Sequence, residues 1–122
     1  MKKIDLQKLS KFLSSRSDII FAVSFGSSKD GLIEPASDFD IGIYFEPQPD
    51  MEALADFLSQ VADLIDFDFI DYTDLTKANP ILGFEAISGK FLCKNNPFKT
   101  AEYFSLVCRE YEDLMGELRL PA

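Results

Sequence analysis

The sequence predicts an α/β (α+β) domain, a small mixed β-sheet flanked by helices. Three observations lead there. Helical apolar spacing alternates along the chain with short strand-like segments. The chain is 47% apolar and 13% aromatic, too hydrophobic for a disordered acidic chain. Its 122 residues allow one domain, 1–122, able to bury roughly two-thirds of its unfolded surface.

The elements follow in order. Leu6, Leu9, Phe12 and Leu13 recur at helical spacing after Asp5, an N-cap residue, so a helix runs to about Ser15. Ile19 to Val23 is an unbroken apolar run rich in branched residues, a buried strand. Turn formers follow from Ser24 to Gly31. In the next strand Phe39, Ile41, Ile43 and Phe45 point one way, and Asp38, Asp40, Gly42 and Tyr44 the other, until Pro47 and Pro49 end it. A helix from Met51 to Ile65, capped by Asp50, carries the stripe Leu54, Phe57, Leu58, Val61 and Ile65. Asp66 to Tyr72 reads as a third strand with Phe67 and Phe69 in the core. Asn79-Pro80 opens a short helix that Gly89 stops, and Lys90 to Lys94 forms a last strand. Asn96-Pro97 starts the final helix, with a predicted core stripe of Phe104, Val107, Cys108, Tyr111, Leu114, Met115 and Leu118.

Composition narrows the chemistry. No histidine is present, which excludes a serine or cysteine triad and His-ligated zinc. The net charge of −9 and scattered basic residues argue against direct nucleic-acid binding and favour a basic protein partner. No apolar run reaches membrane-spanning length and no signal peptide opens the chain. Cys93 and Cys108 fit two reduced thiols in a cytoplasmic protein.

Asp38 and Asp40 stand two residues apart on one strand face, about 6.5–7 Å apart at the backbone. Two anions held that close repel unless they share a cation or a proton. Oxygen-only ligands of this kind suit Mg²⁺ or Mn²⁺ completed by phosphate and water. Alone, a DxD in an acidic protein is more often a solvated strand face. Here Gly26-Ser27 closes the preceding strand, and ten residues separate Ser27 from Asp38. Glycine lets the backbone approach a phosphate closely, and a serine hydroxyl with neighbouring N–H groups can bind its oxygens. Asp68, between Phe67 and Phe69, is expected to join the pair from the third strand. Asp66 shares its face one pleat earlier, and Asp71 faces the other way. Three carboxylates around one point suit two-metal phosphoryl or nucleotidyl transfer.

Ser24-Phe25-Gly26-Ser27, the ten-residue gap, Ser37-Asp38-Phe39-Asp40-Ile41 and Phe67-Asp68-Phe69-Ile70-Asp71 resemble the minimal nucleotidyltransferases (MNT) of the DNA polymerase beta superfamily. Within it the chain is most similar to the antitoxin members of HEPN/MNT toxin–antitoxin pairs. The resemblance runs from about Ile19 to Tyr72, and the tail fits as well. Many relatives carry an arginine shortly after the Gly-Ser. Here Lys29 stands near that place, a point charge without bidentate geometry.

The resemblance implies transfer of AMP from ATP, or of another nucleoside monophosphate from its NTP, to an acceptor hydroxyl with release of pyrophosphate. It implies a nucleotide site at Gly26, Ser27, Ser28, Lys29 and Ser37. Asp38, Asp40 and Asp68 would be the catalytic carboxylates and would hold two Mg²⁺ or Mn²⁺ ions. The implied acceptor is a hydroxyl, a tyrosine being the easiest to deprotonate, of a basic HEPN-type ribonuclease toxin. The chain would then form a hetero-oligomer with that toxin, or a homo-oligomer. Two other readings stay open: an aminoglycoside-type transferase completed by a partner subunit, and an acidic antitoxin that acts by binding alone.

Overall fold

The computed structural model describes residues 1–118. The elements are β1 (Lys2–Lys3), α1 (Leu6–Ser14), β2 (Ile19–Phe25), a 3₁₀ turn (Gly26–Ser28), β3 (Leu32–Ile33), β4 (Phe39–Phe45), α2 (Met51–Ile65), β5 (Ile70–Asp74), α3 (Pro80–Ile87), β6 (Lys90–Lys94) and α4 (Pro97–Leu118). Four strands form a mixed sheet in the order β5-β4-β2-β6, and β1 pairs with β3 in a separate two-stranded ribbon. β2 is antiparallel to both its neighbours, whereas β4 and β5 are parallel. The predicted α/β architecture with a small mixed sheet is the one observed.

Local chemistry explains the helix starts. Asp5, Asp50 and Asn79 each accept a backbone N–H of the first turn, and Pro80 opens α3, where its missing donor costs nothing. β2 is buried along its whole length because helices cover both faces of the sheet. On one face Phe39, Ile41, Ile43 and Phe45 pack with Leu9 and Leu13 of α1 and Phe57, Val61 and Ile65 of α2. On the other, Ile20, Phe21, Val23 and Phe25 pack with Leu75, with Ala86 of α3 and with Tyr103 of α4. An irregularity between Ile19 and Phe21 shifts the β2–β4 register, so Ile20 and Phe21 serve one core while Ile19 and Ala22 serve the other.

Two expectations are corrected. The third strand begins at Ile70, not Asp66. Asp66 is the C-cap of α2 in the left-handed conformation (φ 53°), and the Phe67 N–H bonds the Ala62 carbonyl. Residues 66 and 67 therefore finish the helix rather than start a strand. Phe69 is 67% exposed, not core. The stripe of α4 is also shallower than predicted. Val107 is buried, but Phe104 and Leu118 are exposed, and Cys108, Tyr111, Leu114 and Met115 are only half-buried. The reason is length: α4 spans about 33 Å against about 12 Å for α3, so its far turns outrun the surface they could cover. The ribbon strands β1 and β3 were not foreseen. Among the described residues no helix is long and apolar enough to cross a membrane.

Gly89 joins α3 to β6 where no side chain fits. A Cβ there would lie 2.3 Å from the Ser24 carbonyl oxygen and 2.8 Å from the Phe25 Cβ. Gly116, in α4, has nothing within 4 Å of such a Cβ. Gly89→Ala is therefore expected to cost about 3 kcal/mol, because backbone must move. Gly116→Ala should stabilise the fold by up to about 1 kcal/mol through helix propensity. Urea unfolding midpoints of the two variants check this opposition of sign.

Candidate active site

Gly26 ends β2 with φ +75° and begins the 3₁₀ turn. A Cβ at this position would lie 2.5 Å from Asp40 Oδ2, so the Asp40 carboxylate sits directly against the glycine backbone. Only glycine permits both the left-handed angle and this approach. Asp38 and Asp40 flank Phe39, whose fully buried ring anchors the strand. β4 thus begins rigidly, with both carboxylates on the face opposite that anchor.

Two buried serines shape the turn. Ser24 Oγ donates to the Lys29 carbonyl at 2.6 Å, and Ser28 Oγ donates to the Asp38 carbonyl at 2.9 Å. Ser28, expected at the nucleotide site, is 1% exposed, and its hydroxyl faces inward. That hydroxyl ties the turn to the DxD strand. Ser27 and Lys29 are exposed and remain open to a ligand, while Ser37 is half-buried beside Asp38.

The carboxylate that β5 sets beside Asp40 is Asp71. In the β4–β5 ladder Asp40 is paired with Asp71, and parallel partners project side chains on the same face. The Asp71 carboxyl is near enough to act on that of Asp40 as a hydrogen-bonding partner and by charge. Asp68 lies before β5 and is exposed, its carbonyl accepting the Ile70 N–H. The structure therefore brings together Asp38, Asp40 and Asp71 and leaves Asp68 out. The cause is the helix termination at Asp66 and Phe67, which delays the strand. Alternation in Ile70-Asp71-Tyr72-Thr73, with Ile70 and Tyr72 packed on the core, was the available signal for Asp71.

Partial burial pushes the Asp40 carboxyl up to about 6, helped by the hydrogen bond and charge of Asp71 and then by the charges of Asp38 and Glu85. Glu85, on α3, is a fourth acidic group facing this corner, and sequence reasoning did not single it out. The donor set is oxygen only, which fits a hard divalent ion, and the glycine cradle leaves the Asp40 carboxylate free of a covering side chain. Among the described residues no group of three His, Cys, Asp or Glu side chains is placed to hold a metal ion.

Two clefts reach this corner. One, of about 450 Å³, is lined by Gly26, Lys29, Glu85, Ser88 and the stacked rings of Phe84 and Tyr111, whose centroids are 4.0 Å apart. The other, of about 280 Å³, includes Asp38, Ser37, Ile33, Phe67 and Phe69.

Comparison with known proteins meets this geometry at one point. Residues 7–98 match the family described as polymerase beta, nucleotidyltransferase. The chain belongs to that family. It is a nucleotidyltransferase, and enzymes of this family generally use divalent metals. No curated protein matches the chain by sequence. Several solved structures share its fold. A chain of a toxin–antitoxin complex with AMP-PNP superposes with a TM-score of 0.73 at 22% identity, covering 93% of this chain and 92% of that one. A chain of the toxin–antitoxin MntA-HepT gives 0.66 at 21% identity over 92% and 88%. A chain of a tri-AMPylated Shewanella oneidensis HEPN toxin in complex with MNT antitoxin gives 0.65 at 21% identity, over 91% of each.

A testable consequence concerns stability without metal. The folded-state value of Asp40, about 6, lies above its ordinary 3.8, so the folded nucleotidyltransferase holds this proton more tightly than the unfolded chain. The resulting stabilisation is complete below about pH 4 and is lost as pH rises through about 6. Against Asp40→Asn, the wild-type thermal midpoint should therefore fall between about pH 4.5 and about pH 7, a range that brackets this value. Asp71→Asn should shrink the fall, since an amide donates to the ionised Asp40. Asp68→Asn should leave it unchanged.

Proposed function

We propose that this nucleotidyltransferase moves AMP from ATP to a tyrosine hydroxyl of a basic HEPN-type ribonuclease toxin and thereby acts as its antitoxin. The observation that carries the reading is the Asp40 carboxylate set against the Gly26 backbone, with Asp71 and Asp38 near enough to raise it. Support for the acceptor comes from the structural neighbours, one described with AMP-PNP and one with a tri-AMPylated HEPN toxin. The net charge of −9 suits a partner basic enough to bind RNA phosphates. Two free cysteines, Cys93 buried and Cys108 half-buried, suit the reducing cytoplasm.

Asp38, Asp40 and Asp71 would hold two Mg²⁺ ions, or Mn²⁺. When bound, these ions lower the pKa of the acceptor hydroxyl and neutralise charge developing on the phosphates. The chain's own residues do the rest. Ser27 and Lys29 hold the β- and γ-phosphates at the turn, and Gly26 lets them approach the backbone. Ser37 borders the nucleotide near Asp38, and Ser28 keeps the turn in register with the DxD strand. The phenolic oxygen forms a bond to the α-phosphorus while the bond from that phosphorus to the pyrophosphate oxygen breaks. Asp71 accepts the phenolic proton and passes it to water. The products are an adenylylated tyrosine and pyrophosphate. Tyrosine is favoured over serine because its phenol starts near pKa 10.

Co-expression with the toxin and intact-mass analysis tests this. The wild type should add one or more AMP masses to the toxin, and the Asp38→Asn/Asp40→Asn double variant none. Asp71→Ala should slow transfer about a hundredfold or more, with Asp68→Ala within a few-fold of wild type. Full neutralisation by the double variant, with no AMP on the toxin from wild type, would put binding alone in place of catalysis. Transfer lost in Asp68→Ala but kept in Asp71→Ala would return the third carboxylate to Asp68.

A further inference from the structure

The cleft of about 280 Å³ meets the nucleotide scheme above only at Ser37 and Asp38, which stand in its lining. Its walls are mainly apolar, chiefly Ile33, Phe67 and Phe69, and are bordered by polar residues, Lys2, Glu34 and Asp38 among them. Phe69 is 67% exposed. It is nevertheless held in place, because its carbonyl accepts the Phe39 N–H at 2.9 Å. That bond fixes it beside the start of β4, and its ring meets Phe67 edge to face at 5.8 Å. A large apolar ring kept in solvent at a fixed position beside catalytic carboxylates is the kind of exposure that calls for a ligand.

Topology says which ligand. β4 lies between β2 and β5 in the sheet. The Gly26 turn leaves the end of β2, and Phe69 leads into β5, so the two lie on opposite sides of the DxD strand. The clefts share no lining residue. In phosphoryl transfer the attacking and leaving oxygens lie roughly in line. With the β- and γ-phosphates at the Gly26–Lys29 turn, pyrophosphate departs on the β2 side. The acceptor hydroxyl then enters from the β5 side, past Phe69. At about 280 Å³ the cleft falls below the usual range for drug-sized ligands and suits one side chain rather than a nucleotide. Its apolar walls match a ring, and Asp38 stands where the ring's hydroxyl would emerge.

We infer that this cleft is the acceptor subsite: it takes the ring of a tyrosine presented by the partner protein and delivers its hydroxyl to the carboxylates, with Phe69 setting the preference for an aromatic acceptor. The inference rests on the transfer reading above. Serine and threonine leave the apolar walls unfilled and are disfavoured.

Amide NMR spectra of the full chain with Mg²⁺ and AMP-PNP test this, using N-acetyl-tyrosinamide and N-acetyl-serinamide as probes. The tyrosine probe should shift residues 33–38 and 67–69 saturably, and the serine probe should not. Phe69→Ala should weaken the tyrosine probe about tenfold, and Phe69→Leu by less, in keeping with the worth of a ring–ring contact. Met51→Ala, at a residue 89% exposed on α2, should change nothing. Equal shifts from both probes, shifts centred on the exposed Phe98–Leu106 stretch of α4, an unchanged affinity in Phe69→Ala, or no shift at all would each overturn the assignment. The transfer reading is judged separately, by AMP-PNP shifts at 26–29 and by AMP on the toxin. Loss of those with the tyrosine probe still bound overturns that reading and leaves the cleft an aromatic site.

Discussion

The parallel pairing of β4 with β5 in one register governs this site. It sets Asp40 opposite Asp71 and brings their two carboxyl groups near enough for one to raise the other. A slip of one residue would turn Asp71 to the other face and bring a core residue out in its place. The core prevents that slip: Ile70 and Tyr72 pack against the cluster formed by Phe39, Ile41, Ile43 and Phe45. β4 is fixed in turn by β2, which is buried from end to end, and by Gly42, whose missing side chain is replaced by Leu75. The hydrophobic layers thus hold in place a charge arrangement that would not persist on a mobile segment.

That arrangement works against stability. Partial burial, Asp71, Asp38 and Glu85 all disfavour ionised Asp40, and no basic side chain forms an ion pair with it among the described residues. The three ion pairs formed there, Lys2–Asp66, Arg16–Asp18 and Lys99–Glu46, include no member of the carboxylate cluster. A local violation of good electrostatics at an otherwise consistent fold is the mark of a functional corner. The two clefts divide the work around it. The glycine turn and α3 shape the nucleotide side, and the approach to β5 shapes the side from which an acceptor is proposed to come.

Much of this was legible in the sequence, for identifiable reasons. α1 and α2 announce themselves by caps and stripes, and their predicted starts at Leu6 and Met51 are the observed ones. β4 was readable because Phe39 to Phe45 alternate strictly, which also put Asp38 and Asp40 on one face. The strand placement of Asp68 was misread because Phe67-Asp68-Phe69 imitates a strand, whereas Asp66 and Phe67 close a helix and Asp68 and Phe69 lie in the loop before β5. The helix's left-handed cap is an aspartate rather than the glycine that would have marked it. The inward turn of the Ser28 hydroxyl was not legible because it depends on a carbonyl ten residues away. The two-residue strands β1 and β3 are too short for any period to register. The exposed face of α4 follows from its length relative to α3, and no local pattern encodes that.

The most direct test is a carboxyl-carbon NMR titration of Asp40 in the metal-free protein. The account predicts a midpoint near 6, falling toward the ordinary carboxylate range in Asp71→Asn and unmoved in Asp68→Asn. An ordinary midpoint for Asp40 in the wild type, or one that answers to Asp68 rather than Asp71, would contradict it.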